Sequence, residues 1–407
     1  MSESVGSPVQ PGSQTSLRNA NQRRVLDTVR RDGHLTQAQI SRRTALAPST
    51  VSSIVHQLID AGLLVVETDG AGRRGQLIGF RESAGHVVGI DVGHRHVTVA
   101  VADLNQRILA QRRHELPDEH RFAEDLELVG RTLDALLRDH GTPRSGLLAA
   151  GLTLPAPVDL DGRLVSASAI MPAWSGIDLR AEAGHRLGLP VVVENDANAG
   201  ALGELAWGAG RGAQHMAYLK IGHGVGAGLI LNGSLFRGAT GSAGEIGHTT
   251  VDEHGRVCRC GNRGCLETYV SSGDITRLLA ATHSPDLTVP DLVAAALAGD
   301  VGCARVIGDT GRLLGTAVAN LCNTLNPELV VVGGEIARAG ELLLGPLREV
   351  VSRHGVRGSV QDLRIETARL GIEAHVAGAV ILALQHAELP AGAVPGGMTR
   401  RTTPVFD

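Results

Sequence analysis

The chain has 407 residues, 43% of them hydrophobic and 20% charged, and carries a formal net charge of −4. That length exceeds the usual single domain, so two or three domains are expected. There is no run of about eighteen apolar residues and no signal-peptide pattern, and five cysteines suit a reducing cytoplasm better than a disulfide framework, so a membrane or secreted protein is not expected.

Residues 1–16 are rich in Ser, Gly, Pro and Gln, and residues 387–407 carry Pro, Gly and Thr without periodicity. Neither stretch buries enough apolar surface to order itself, so both are expected to be flexible tails. Between residues 17 and 82 three helical segments precede a hairpin. Val25, Leu26 and Val29 make an apolar stripe at helical spacing. Thr36 caps a second helix running to Arg43, and a turn follows at Ala45–Pro48. Ser49 and Thr50 cap a third, running to about Ala61 with Val51, Ile54, Val55 and Leu58 inward. Two short helices across a tight turn make a helix-turn-helix, whose second helix enters the major groove. Its outward residues Ser49, Thr50, Ser52, Ser53, His56 and Gln57 can hydrogen-bond base edges or phosphates.

Leu63–Glu67 and Gln76–Phe80 are strand-like around a turn with Arg73 and Arg74 at its tip. Two arginines on such a wing suit a phosphate or minor-groove contact. The segment holds ten Arg against six acidic residues, so it is basic in an acidic chain. One such module reads only a few base pairs. A homodimer or homotetramer on a pseudo-palindromic operator is therefore expected.

Residues 85–386 alternate strands and helices. Val87–Gly93, Val97–Val101 and Leu147–Leu154 are strand-like, with a helix over 119–140. A second cycle starts at Met216–Ile221 and continues through Leu229–Leu231 to Leu329–Gly334. Such alternation implies mixed α/β layers, with ligands bound where strand ends open. We place two lobes at about 85–198 and 199–370, and a closing helix at 373–386.

His248, Cys258, Cys260 and Cys265 put four zinc-type ligands into eighteen residues, and three of the five cysteines fall within eight. A Cys3His set fills zinc's tetrahedral shell and leaves no position for water, so a structural zinc knuckle is expected. Gly261 and Gly264 let the loop close tightly.

Gly244-Glu245-Ile246-Gly247-His248 precedes these cysteines, Leu266-Glu267 follows them, and Ile221–Gly228 lies upstream. Together they resemble the signature of the ROK family of repressors, open reading frames and sugar kinases, over roughly residues 85–386. The resemblance implies a two-lobed actin-like, ribonuclease H-like fold of the ATPase and sugar kinase type. Residues 17–82 resemble the winged helix found ahead of ROK repressors.

The family likeness also implies a set of contacts. Asn195, Asp196, Glu245, His248 and Glu267 would meet a sugar, with Asp196 the general base in a kinase. His248 would serve the metal with one nitrogen and the sugar with the other. Three turns would face nucleotide: Asp91–Gly93; Gly222, Gly224 and Gly226; and Gly333–Gly334. Only the third keeps the kinase pattern. His94-Arg95-His96 follows Asp91-Val-Gly93, and His223 stands where threonine is usual, so a small hydroxyl donor gives way to a ring at both places. On the sugar side, Ala156 replaces a family glycine and Ile170 a family asparagine. Trp174 either stacks near the sugar or fills the core. The expectation is a DNA-binding transcriptional regulator of repressor type for carbohydrate genes, responding to a sugar or sugar phosphate, without ATP or Mg2+. The alternative is an ATP-dependent sugar kinase that keeps a DNA-binding module.

Overall fold

A computed structural model describes residues 14–67, 76–117, 120–164, 171–174 and 176–389. Arg73, Arg74, Ile170 and the outer parts of both expected tails lie outside the described residues.

The amino-terminal head begins with α1 (Gln14–Asp32), which takes in three residues assigned to the tail. Thr36 caps α2 (Gln37–Thr44) in a reciprocal capping box with Gln39. In α3 (Pro48–Asp60) the cap residue is Ala47, and Pro48 supplies the preset φ of a first helical position. Ser49 and Thr50 therefore lie in the first turn and do not cap it. Val25, Leu26, Val29, Ile40, Val51, Ile54, Val55 and Leu58 are all buried together. β1 (Leu64–Glu67) and β2 (Leu77–Phe80) pair antiparallel as the base of the wing.

The body holds two five-stranded sheets. The first comprises β3 (His86–Val92), β4 (His96–Asp103), β5 (Ile108–Glu115), β6 (Leu147–Leu154) and β7 (Val191–Asn195), with α4 (Phe122–His140) and α5 (Leu179–Leu187) on it; α6 (Asp196–Trp207) follows β7. The second comprises β8 (Met216–Ile221), β9 (Val225–Leu231), β10 (Ser234–Phe236), β11 (Leu329–Gly333) and β12 (Arg364–Thr367). Around it lie α7 (Glu267–Val270), α8 (Ser272–Arg277), α9 (Val289–Leu297), α10 (Val301–Leu325), α11 (Glu341–His354) and α12 (Arg357–Val360). The orders are β5-β4-β3-β6-β7 and β10-β9-β8-β11-β12: an antiparallel meander of three, then two parallel strands, repeated in each lobe. β3, buried along its whole length, reads as a continuous apolar run because both its faces are covered.

α6 and the closing helix α13 (Ala374–His386) cross between the lobes. Their backbones touch: a Cβ on Gly378 would lie 1.8 Å from the Ala199 carbonyl oxygen, and one on Gly203 2.3 Å from that of Ala374. Only glycine permits that approach. α6 begins at Asp196 and runs on to Trp207, so residue 198 lies inside this connecting helix.

The head packs on the body. The Asn105 side chain accepts from the Phe80 amide at 2.7 Å and donates to the Phe80 carbonyl at 2.8 Å. Gln106 donates to the Arg30 and Arg31 carbonyls, and Arg30 to that of Ala387. Ala387 is buried, so packed chain extends past the point where a flexible tail was expected. One apolar cluster runs from Val25 and Leu58 through Ala100 and Leu104 to Val380 and Leu384. No helix among the described residues is long and apolar enough to cross a membrane.

Candidate functional site

A cleft opens where β7 passes into α6, facing the β8–β9 turn, the 241–248 loop and the cysteine-rich loop. Asn195, Asp196, Glu245, His248 and Glu267 all line it, joined by Asn198, Lys220 and Arg259.

Each carboxylate has its own surroundings. Asp196, at the first position of α6, receives the ammonium of Lys220 at 2.5 Å, with both side chains mostly buried. Glu267 takes a bidentate contact from Arg259, Nε to Oε1 at 2.9 Å and a terminal nitrogen to Oε2 at 3.0 Å. Its Oε2 also accepts the Val225 amide at 2.9 Å. Glu245 has no such cation in contact. Burial raises its carboxyl above the usual range, with His248 pulling the other way and Glu267 and Asp196 adding to the rise.

Asn195 is more constrained than its sequence context indicated. Its Oδ1 caps α6, accepting the Ala197 and Asn198 amides at 2.8 and 3.3 Å, and its Nδ2 donates to the Ala156 carbonyl at 3.2 Å. Any ligand would meet the remaining N–H and not the oxygen. The acceptor missing there is supplied by Asn198, whose buried Oδ1 has no hydrogen-bond partner while its Nδ2 is tied to Glu194. Trp174 stays out of the cleft. It is 1% exposed in the first-lobe core, edge-on to Phe122 with ring centroids 4.7 Å apart.

The turns that the family likeness would assign to nucleotide carry histidines. Asp91 is buried, and its carboxylate accepts from His96 Nε2 at 2.9 Å and from the Thr153 hydroxyl at 2.9 Å. Burial alone would raise this carboxyl, but the His96 hydrogen bond and the nearby His375 and His96 rings hold it at about 2. A Cβ on Gly93 would run into the His96 ring, so the glycine is used by that ring. His94 and His223 meet across the turns with centroids 4.9 Å apart. Burial first, then Lys220 and His223, push the His94 imidazole down to about 4, so it is neutral near pH 7 and offers a phosphate no positive charge. Gly333 and Gly334 also have local reasons to be glycine. A Cβ on the first would lie 2.4 Å from the Tyr218 hydroxyl, and one on the second 1.8 Å from the Ile221 carbonyl oxygen. Gly222, Gly224 and Gly226 shape the β8–β9 turn, the last two lining the cleft.

His248, Cys258, Cys260 and Cys265 converge, with one donor atom from each all within 4.8 Å of one another. Zinc bonds of about 2.3 Å to sulfur and 2.0 Å to nitrogen give tetrahedral edges of roughly 3.8 Å between sulfurs and 3.6 Å between sulfur and nitrogen. Cys260 and Cys265 Sγ lie 3.7 Å apart, and Cys258 Sγ lies 3.6 Å from His248 Nδ1. These two separations match tetrahedral edges, and the four donors form a cluster that could hold a metal ion. Gly261 and Gly264 hold left-handed φ of +92° and +66°, and a Cβ on Gly264 would strike the Asp252 carbonyl. His248 turns Nδ1 to the cysteines and Nε2 toward Glu245, 3.8 Å away.

On α3, Ser49, Ser53 and His56 are exposed, and Thr50, Ser52 and Gln57 half-buried. Gln57 is less free than the helical pattern indicated, since its Oε1 accepts from Gln22 of α1 at 3.1 Å and its Nε2 donates to Ser53. His56 Nδ1 sits 2.7 Å from the Ser52 carbonyl.

Lys220, Arg259 and Asn198 are the cleft residues that sequence reasoning missed. Lys220 had a visible signal as the only lysine in the chain, and Asn198 closes the Glu194–Asn198 run. Arg259 had none, because an arginine between two ligand cysteines ordinarily faces solvent.

Residues 87–386 match the ROK family and residues 18–75 the MarR family. A xylose repressor of Caldicellulosiruptor bescii is 31% identical over 394 residues, covering 92% of this chain and 97% of that protein. A glucokinase of Halalkalibacterium halodurans is 34% identical over 308 residues, covering 72% of this chain and 92% of the kinase. The crystal structure of a ROK family transcriptional regulator, a homologue of the Escherichia coli MLC protein, matches with a TM-score of 0.75 at 27% identity, covering 93% of this chain and 97% of that one. The chain is therefore a member of the ROK family, with a MarR-type winged helix joined ahead of an actin-like ROK domain.

Proposed function

We propose that this chain is a DNA-binding transcriptional repressor of carbohydrate genes, released from its operator by a sugar or sugar phosphate bound in the cleft. The observation that carries the reading is Asp91. Its carboxylate is buried and taken up by His96 and Thr153, so it is not presented to a magnesium ion, while the cleft beyond keeps hydroxyl-binding groups. ATP chemistry is given up on this reading and sugar recognition kept. Similarity to a xylose repressor across head and body supports it.

Within the cleft, Asp196 and Glu267 act as fixed acceptors for sugar hydroxyls, Asn198 Oδ1 adds a third, and His248 Nε2 and one Asn195 N–H donate. Zinc bound by His248, Cys258, Cys260 and Cys265 would supply folding energy to a loop with little core of its own. On the DNA side, Ser49, Thr50, Ser52, Ser53 and His56 face the major groove, with Arg73 and Arg74 on the backbone or minor groove. The protein works in the cytoplasm as a homodimer or homotetramer, since one head reads too few base pairs for an operator. Sugar needs only a differential affinity for two lobe arrangements, and about 1.4 kcal/mol changes operator binding tenfold.

The test is thermal-shift binding with D-xylose, D-glucose, amino sugars and their phosphates, each with and without Mg-ATP. Stabilisation by a sugar and none by Mg-ATP is expected. Stabilisation by Mg-ATP with turnover of the sugar would make the protein a kinase.

A further inference from the structure

Arg259 stands between Cys258 and Cys260, yet its side chain leaves that loop and enters the cleft. Its two contacts to Glu267 form a fork on a carboxylate that is only 8% exposed, which fixes both the position and the plane of the group. The oxygen that Arg259 holds from one side takes the Val225 amide from the other. One carboxylate thus ties the cysteine loop to the β8–β9 turn. The packing is close enough that a Cβ on Gly224 would lie 2.9 Å from the guanidinium and 3.0 Å from Glu267 Oε2.

A long arginine side chain holds such a geometry only if its own backbone is fixed, because ordering it costs rotamer entropy. Here the backbone is part of the four-donor loop. Cys258 N donates to the Asn262 carbonyl at 2.7 Å and Gly261 N to the Cys258 carbonyl at 3.0 Å, and the ligand residues flank Arg259 on both sides. We infer that Arg259 is a positioning residue that couples the state of the Cys3His cluster to the cleft. With the loop closed, it holds Glu267, and through it the Val225 amide, in the arrangement a ligand meets. With the loop open, the carboxylate is released and the turn loses its anchor. The inference rests on the proposed zinc at the cluster, so metal content is measured separately.

The test is hydrogen–deuterium exchange at the Val225 amide in the full chain, zinc-loaded and chelator-treated, for the wild type, Arg259→Ala and Arg259→Lys. In the zinc-loaded wild type Val225 exchanges slowly, and chelation speeds it roughly tenfold or more, the size expected for losing a charge-assisted bond. Arg259→Ala keeps its zinc, exchanges as fast as the chelated wild type, and does not respond further to chelator. Arg259→Lys falls between, since an ammonium replaces a fork by a point contact. Amides of β3 and β6, in the other lobe, stay unchanged throughout and report that the fold persists. Slow Val225 exchange in zinc-loaded Arg259→Ala, or zinc loss from that variant, would overturn the coupling. A wild type without zinc would overturn the metal reading as well, and the metal measurement alone reveals that case.

Discussion

The ammonium of Lys220 lies 2.5 Å from the Asp196 carboxylate, deep in the cleft, and Lys220 is the only lysine of the chain. The residue placed for a general base thus has one oxygen already engaged. Removing the cation leaves a buried carboxylate uncompensated. Lys220→Met is expected to lower stability by about 3 kcal/mol. Lys220→Met with Asp196→Asn should cost less than the two single changes added, which a denaturation double-mutant cycle measures. Simple additivity would mean that the pair contributes nothing.

Asn105 joins head to body by holding both backbone groups of Phe80. Asn105→Ala removes both bonds, at an expected cost of about 1–2 kcal/mol. Limited proteolysis should then cut near Arg81 faster than in the wild type, while sugar binding to the cleft is unchanged. Equal cleavage rates would show that the apolar cluster alone holds the head.

The buried histidines His94 and His375 give the protein a pH dependence. His94 is held down to about 4 by burial, Lys220 and His223, and His375 is lowered by burial against the pull of Asp91 and Asp196. The unfolded chain takes up these protons near pH 6.5, as free imidazoles do, and the folded chain resists. Stability from these groups is therefore full above pH 6.5 and is lost as pH falls toward 4. Asp91, held at about 2, adds its own loss only below its ordinary 3.8. Melting temperature measured between pH 6.5 and 4 should fall, and His94→Gln should flatten the slope. An unchanged slope in His94→Gln would remove His94 from the explanation.

The four-donor cluster makes a stoichiometric prediction. Elemental analysis should find about one zinc per chain, and Cys260→Ser should lose it and destabilise the protein by about 2 kcal/mol or more. A wild type of full stability without metal would contradict the proposed knuckle.

Much of this was legible in the residues. The head announced itself by the Thr36 cap and by the inward Val51, Ile54, Val55 and Leu58. β3 and β6 were visible as apolar runs because buried strands need no polar alternation. The convergence of His248, Cys258, Cys260 and Cys265 was readable because the four fall within eighteen residues. What escaped reading was long-range. β5, with exposed Gln111, Arg112 and Arg113, is an edge strand whose pairing with β4 fixes it more than its composition does. The cap of α3 was misplaced because Ser49 and Thr50 look like caps, whereas Pro48 had already set the first position. Lys220 on Asp196, Arg259 on Glu267 and His96 on Asp91 are pairs made by the fold, the first of them across 24 residues and the other two across 8 and 5. No local pattern carries them.

The most direct measurement selects fragments of source genomic DNA with the purified full-length chain, then follows binding to the strongest fragment across the sugar panel and Mg-ATP. At least one sugar or sugar phosphate should weaken binding tenfold or more, equivalent to about 1.4 kcal/mol, with Mg-ATP neither altering binding nor being consumed. DNA affinity indifferent to every sugar, together with ATP-dependent sugar phosphorylation abolished in Asp196→Ala, would contradict a sugar-responsive repressor.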